Sequence, residues 1–440
     1  MRSRVSGVNQ PVPSGCRDFP HAPADEKSGL DRQAMGAPRV APVRLGLLTV
    51  VLATACGLAV ANIYFAQPIL NLLADSFHTS QSAATLAVTI VQVGYAIGLV
   101  MLLPTGDLLE NRRLTSAMLV VTAVALVVAG LAQNLGVFLV ASVFIGITSV
   151  VAQILIPFAA HLAPEASRGR IVGWVGSGLL LGILLARTLS SLAAAAWGWR
   201  AIFFISAGLM LVMAVVLFFL LPARRPDHTG SYRTLMTSVL ELVRTQPRLR
   251  LRAVCQALVF AAFSAYWTGI SYQLIAVHGF NQAQIGLFAL VGAVGVVAAP
   301  VAGRIADRGD RFVSGIALFI GVASMIVARF GASSVILLGL AAVLLDIAMT
   351  AHQVLSQREI YQLRPDARAR INTVYMGSVF AGGALGSALA GALHDNYGWN
   401  GITTAGIALL TLSFALWAFG RFGPRGRQRL LMPDSDKVTI

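Results

Sequence analysis

RPDARARINTV, residues 364–374, repeats a pattern met 200 positions earlier in APEASRGRIVG, residues 163–173: Arg168, Arg170 and Ile171 return as Arg368, Arg370 and Ile371. The same offset carries Asp107 onto Asp307, and the pair Gly198-Trp199 onto Gly398-Trp399. Downstream of each copy small residues stand at every fourth position: Gly178, Gly182 and Ala186 in the first, Ser378, Gly382 and Gly386 in the second. Residues so spaced share one helix face, and small ones let two helix backbones approach closely in lipid. The chain reads as two halves of common design.

Composition says what those halves are built for. The 440-residue chain is 57% hydrophobic and only 12% charged, against about 25% charged in a soluble domain, and its mean hydropathy is +0.76. Apolar runs near the ~20 residues that cross a ~30 Å hydrocarbon core recur along it. They predict spans at 45–67, 84–105, 114–133, 137–160, 171–193 and 200–221, then 252–276, 283–302, 312–330, 334–357, 371–393 and 400–420. The predicted fold is all-α and integral to the membrane, with twelve transmembrane helices in two six-helix pseudo-repeats. Residues 1–44 read as a disordered tail, 45–221 as the first half, 222–251 as a central loop, 252–420 as the second half and 421–440 as a second tail.

The net charge of +15 raises nucleic acid as a partner, and the placement of the charge answers it. With both termini on one side, thirty of the 33 Lys and Arg fall on that side; Arg200 lies opposite, and Arg187 and Arg329 lie within spans. Positive residues stay in the cytoplasm, so both termini are expected there and nucleic acid is not an expected partner. The three cysteines, Cys16, Cys56 and Cys255, have neither disulfide nor metal spacing. The sequence shows no phosphate-binding loop, nucleophile motif, metal cluster or paired carboxylates, which argues against an enzyme or an ATP-driven pump. No cofactor is expected.

Two halves joined by a cytoplasmic loop suit a transporter that rocks about a central site. Over residues 45 to 420 the sequence resembles the major facilitator superfamily. GRIADRGDR (303–311) resembles the family's Gly-x-x-x-Asp-Arg loop, with Gly303, Asp307 and Arg308 in place, and PTGDLLENRR (104–113) is a looser copy holding Asp107, Arg112 and Arg113. ANIYFAQPIL (61–70) and the segment 360–387 resemble a bacterial branch of efflux and drug-resistance transporters. The resemblance implies an inner-membrane protein, expected to be monomeric, that exports a small organic molecule by antiport against protons. Uptake or facilitated diffusion of a metabolite, anionic in one version, is the alternative, and a non-transporting sensor a third. In the family the loop is tied to the conformational switch, so Asp107, Arg112, Arg113, Gly303, Asp307 and Arg308 are expected to form a cytoplasmic gate. Glu165, Arg168 and Arg170, with Asp366, Arg368 and Arg370, are expected to complete it.

LAAVLLDIAMTAH (340–352) holds the acidic residue placed deep in a span. A carboxylate near a bilayer centre costs roughly 2.5 to 3.5 kcal/mol even on the lenient insertion scale, so Asp346 needs a use. Desolvated carboxyl groups exchange protons readily, and Asp346 is the candidate for proton coupling. Thr350 and Gln353 continue its helix face. Arg187, toward the outer part of the fifth span, is the reciprocal oddity, suited to an anionic group or to Asp346. In the resembled fold the first, fourth, seventh and tenth spans line the cavity. Tyr64, Gln67, Gln153, Gln256 and Trp267 are candidates there, joined by Asn372 and Tyr375 of the eleventh. Drug antiporters of the family carry an arginine in the fourth span and a Gly-Pro pair in the fifth. VFLVASVFIGITSVVAQILIPFAA (137–160) and GWVGSGLLLGILLAR (173–187) have neither, so coupling is expected to run through Asp346 or to be absent.

Overall fold

A computed structural model of the chain describes residues 42–222, 232–292, 312–364 and 367–422. Every regular element in it is helical. The first half holds α1 (Pro42–Ala61), a 3₁₀ turn (Gln67–Ile69), α2 (Leu70–Ser76), α3 (Gln81–Met101), α4 (Asn111–Leu131), α5 (Leu135–Thr148), α6 (Val151–Leu162), α7 (Arg168–Trp197) and α8 (Ala201–Leu220). After α9 (Tyr232–Thr245) come α10 (Pro247–His278), α11 (Gln282–Ala289), α12 (Val313–Phe330), α13 (Val335–Tyr361) and α14 (Arg368–Phe422). Among the described residues nine helices are long and apolar enough to cross a membrane, with two shorter apolar helices at Leu45–Ala61 and Gln282–Gly292. One of the nine, α14, is two arms merged across Gly398. Large apolar side chains stand exposed on the outside, Phe219, Phe330 and Ile336 at 80% or more. A soluble surface does not tolerate such a belt and hydrocarbon does.

The small-residue stripes do what their spacing predicts. A side chain at Gly178 or Gly182 of α7 would run into the backbone of Ala53 or Gly57 of α1. One at Gly382 or Gly386 of α14 would run into Ala257 or Ala261 of α10. The two halves thus repeat one close helix pair. The repeated Gly-Trp pairs also match. Gly198 (φ +83°) and Gly398 (φ +54°) both turn the chain with positive φ, and Trp199 and Trp399 are buried just after them. At Gly398, with ψ −146°, an L side chain is strained by about 1–3 kcal/mol. Gly398→Ala is therefore expected to lower the unfolding temperature in detergent by several degrees while leaving helix content unchanged.

Three expectations about elements need correction. The first span is not one helix to residue 67: α1 ends at Ala61 and turn hydrogen bonds take over, Ile63 N to Val60 O and Tyr64 N to Ala61 O; Pro68, with no N–H to give Tyr64 O, keeps the α-helical ladder from resuming across this stretch. The fourth span breaks at Ser149-Val150 into α5 and α6. Part of the predicted central loop is the amphipathic helix α9, whose Leu235, Val239 and Leu242 share a buried face. Tyr232 at its start donates to the carbonyl of Met101 at the end of α3. Arg329 donates to Asn400 O and Thr404 Oγ1 at the start of the second arm of α14.

Candidate functional site

The break after α1 builds the site. Ending a helix inside a membrane frees carbonyls that lipid cannot satisfy, and side chains from both halves satisfy them here. Ser190 of α7 donates to Phe65 O at 2.7 Å, and Gln282 at the start of α11 donates to Pro68 O at 2.6 Å. The irregular backbone turns Tyr64 and Gln67 inward, and both are buried. Gln67 Oε1 accepts the Nε–H of Arg187 at 2.7 Å.

Arg187 is enclosed on its faces as well. Its guanidinium carbon lies 4.5 Å from the ring centre of Trp267, 4.9 Å from Tyr64 and 5.5 Å from Phe263, distances at which a ring face attracts a cation. Trp267 is shared: its indole N–H donates to Asp346 Oδ1 at 3.2 Å. Among the described residues Arg187 and Asp346 are the only buried guanidinium and carboxylate, 5% and 8% exposed. Each feels the other's charge, yet no direct ion pair joins them. Gln67, Tyr64, Arg187, Trp267 and Asp346 thus form one cage, drawn from the first-span break, α7, α10 and α13. Replacing the acceptor of a charged donor costs about 1.5–3 kcal/mol. Gln67→Leu, nearly isosteric, is expected to destabilise the protein by about that much, read as a lower unfolding temperature in detergent.

Above the cage, the halves are bonded to each other at the face opposite α9. Tyr272 donates to Gln81 O, His394 Nε2 meets Gln81 Oε1 at 2.7 Å, and Tyr272 stacks on His394. Deeper in, Thr89 and Ser387 share a 2.9 Å hydrogen bond, and Gln92 donates to Ser264.

The other candidates fall into separate groups. Gln153 donates to Tyr95 and accepts from Asn372, both at 3.4 Å, and Asn372 in turn accepts from Tyr361; this group joins the halves nearer the α9 face. Thr350 and Gln353 are half-buried on α13. Gln256 and Tyr375 face the interior of the second half rather than the cage. Gln256 accepts from His352 Nδ1 at 2.5 Å and donates to Met349 O, while Tyr375 lies beside Ser356. His352 is fully buried, and its Nε2 has no hydrogen-bond partner among the described residues.

The Major Facilitator Superfamily family model matches residues 51–358 and 252–433. The chain belongs to that superfamily. It is similar to "Uncharacterized transporter YgaY" of Escherichia coli O157:H7, 39% identical over 373 residues that cover 84% of this chain and 94% of the other. It is also similar to "Probable transporter SCO4007" of Streptomyces coelicolor, 34% identical over 410 residues, 92% and 95% of the two chains. Among solved structures, a bacterial homolog of the human lysosomal transporter Spinster, inward-facing and unoccupied, superposes with a TM-score of 0.69 at 14% identity, over 90% of this chain and all of that one. The nucleoside transporter NupG gives 0.68 at 12%, over 86% and 100%. The protein is a multi-pass membrane transporter of this superfamily and not an enzyme.

Of the superfamily's loop residues, Gly303, Asp307, Arg308, Asp366 and the side chain of Asp107 lie outside the described residues. Arg112 and Arg113 both pair with Glu110, each at 3.2 Å, and Arg112 lies over Phe218. Glu110 was not among the expected gate residues. Glu165, Arg168 and Arg170 are exposed, Arg370 is half-buried, and Arg368 donates to Tyr361 O. A further ion pair, Arg252 with Glu359, ties α10 to α13, with Arg252 also donating to Ser314. Both partners stand at the edges of predicted spans, where charge is ordinarily read as topology.

Proposed function

We propose that this protein is a proton-coupled secondary transporter of a small organic molecule, working by rocking-type alternating access. Twelve helices form two six-helix halves, 45–221 and 252–420. Both termini and the 222–251 segment are cytoplasmic, and the host membrane is the bacterial inner membrane. The chain works as a monomer. Asp346 carries the proton; Arg187, Tyr64, Gln67 and Trp267 bind substrate. Gln153, Asn372, Thr350 and Gln353 line the route toward the cytoplasm. The paired loop charges, Arg112 and Arg113 with Glu110 among them, hold the inner gate.

One observation carries the reading. A single buried carboxylate and a single buried guanidinium, among the described residues, meet the same indole from opposite halves of the molecule. Rocking moves the halves relative to each other, so a proton on Asp346 changes the charge balance of a site that both halves share. The bonded ends at Gln81, Tyr272 and His394 fit a state closed to the outside.

The branch of the superfamily that the sequence resembles implies export. Uptake of an anionic metabolite is a second reading, favoured by Arg187, whose Nη2 is buried without a partner. A cell assay reads both directions. In cells stripped of their own efflux pumps, expression is expected to change susceptibility to at least one compound of a panel of toxic compounds and metabolite analogues. Protection marks export and sensitisation marks uptake. Collapse of the proton gradient is expected to abolish the effect; an effect that survives collapse overturns proton coupling.

A further inference from the structure

The charge count of the cage bears on what it carries. Arg187 cannot leave: Gln67 holds its Nε, and Tyr64, Phe263 and Trp267 hold its faces. Its Nη2 is buried with no hydrogen-bond partner, in a side chain only 5% exposed. The groups that face it are the phenol of Tyr64 on the broken first span, the rings of α10 and the carboxyl group of Asp346 on α13. The groups that face Asp346 are Arg187, the indole N–H of Trp267 and the phenol of Tyr266. Apart from Arg187 and Asp346, no full charge lies among these groups, counted over the described residues.

An uncompensated charge in so dry a place is costly, so the net charge selects the stable states. Empty with Asp346 ionised, the cage is neutral. Protonating Asp346 leaves +1 on Arg187. A cationic substrate leaves +1 when Asp346 is ionised and +2 when it is protonated, and an anion beside an ionised Asp346 leaves −1. One loaded state is neutral and also holds a proton: Asp346 protonated and a monoanion on Arg187. The orphaned Nη2 is the donor such an anion meets, since charge-assisted pairing of a guanidinium with a carboxylate is strong and directional. Trp267 keeps the charges apart by taking Asp346 on its N–H and Arg187 on its ring, so the two do not close into a pair that would exclude a ligand.

We infer that the substrate is an organic monocarboxylate with an apolar or aromatic body, bound by Arg187 only when Asp346 holds a proton. The two bind together and move in the same direction. On loading, an O–H bond forms at the Asp346 carboxyl group with a proton taken from hydronium on the outer side; on release that bond breaks, the proton passes to water on the inner side, and the carboxylate again balances Arg187. No net charge crosses with the pair, and an inward proton gradient drives uptake. This rests on Asp346 as the coupling residue and takes the second of the two directions above.

The test is calorimetric titration of the purified full chain in lipid nanodiscs. The probes are formate, acetate, benzoate and indole-3-acetate, with benzylamine and benzamide as the cationic and neutral counterparts of benzoate. At least one carboxylate is expected to bind with uptake of one proton per anion, read from buffers of different ionisation heat. Its affinity is expected to fall by about tenfold per pH unit on the alkaline side. Asp346→Asn, with Arg187 left intact, is expected to bind the same anion without proton uptake and without that pH dependence. Arg187→Gln is expected to lose binding. Arg187→Lys serves where the glutamine variant does not fold, and is expected to weaken binding at least tenfold. The proposal is overturned by carboxylates that bind neither the wild type nor Asp346→Asn, by binding without proton uptake, or by benzylamine binding that Asp346→Asn abolishes. If these outcomes occur while another compound drives a proton flux that needs Asp346, the coupling reading stands and the monocarboxylate falls. If Asp346→Asn still moves protons, the coupling reading falls first.

Discussion

Asp346→Asn is expected to fold, to reach the membrane and to lose all transport driven by a proton gradient, down to the level of liposomes without protein. Folding survives because asparagine keeps the shape and keeps an oxygen for the Trp267 N–H now bonded to Asp346 Oδ1. What it cannot do is gain or lose a proton. Removing the acceptor altogether, as in Asp346→Ala, leaves the buried indole N–H unpaired at about 1–3 kcal/mol, so the alanine variant is expected to be the less stable of the two. The measurement pairs substrate flux with internal pH in the same liposomes. Flux by Asp346→Asn that still follows an imposed proton gradient would move coupling to another group. Downhill substrate movement without any pH change would be the mark of a carrier whose coupling has been cut while its rocking is intact.

How much of this was legible beforehand depends on whether a feature is local or long-range. The repeat, the spans and the charged oddities Asp346 and Arg187 are local: each is visible as a residue type out of place in its own stretch. The convergence of Asp346, Trp267 and Arg187 is not, because helical spacing fixes which residues share a face but not which neighbour that face meets. Gln256 and Trp267 illustrate this. Both are candidates from the same predicted span, yet Trp267 enters the cage while Gln256 bonds to His352 inside the second half. Tyr64 and Gln67 are candidates from a predicted span that is not helical there. Pro68 was the available signal for the break. His352 and the Arg252–Glu359 pair were passed over because a buried polar residue in a bundle declares itself only through its partners, which lie on other helices.

Close backbone approaches give the last large effect, and the halves supply matched tests. Gly182→Ala is expected to destabilise strongly, by about 1–3 kcal/mol or more, because its new Cβ would strike the backbone of Gly57 rather than a side chain that can turn away. Gly382→Ala is expected to do the same against Ala257. Controls lie on the same helix: a Cβ at Gly173 or Gly176 meets nothing within 4 Å. There alanine is expected to be neutral or to stabilise, since it favours helix over glycine by about 1 kcal/mol. Thermal unfolding in detergent reads all four. The first-half variant has a second consequence that the second-half variant lacks. Gly182 precedes Arg187 by little more than one turn of α7, so forcing α7 from α1 also draws Arg187 from Gln67, which belongs to the break after α1. Gly182→Ala is therefore expected to lose transport out of proportion to its stability. Gly382→Ala leaves the Arg187–Gln67 contact in place and reaches the cage only through α10, which carries Trp267, so it is expected to lose less transport than Gly182→Ala at equal stability. Equal losses of transport at equal stability would show that the α1–α7 contact holds the bundle together without setting the position of Arg187.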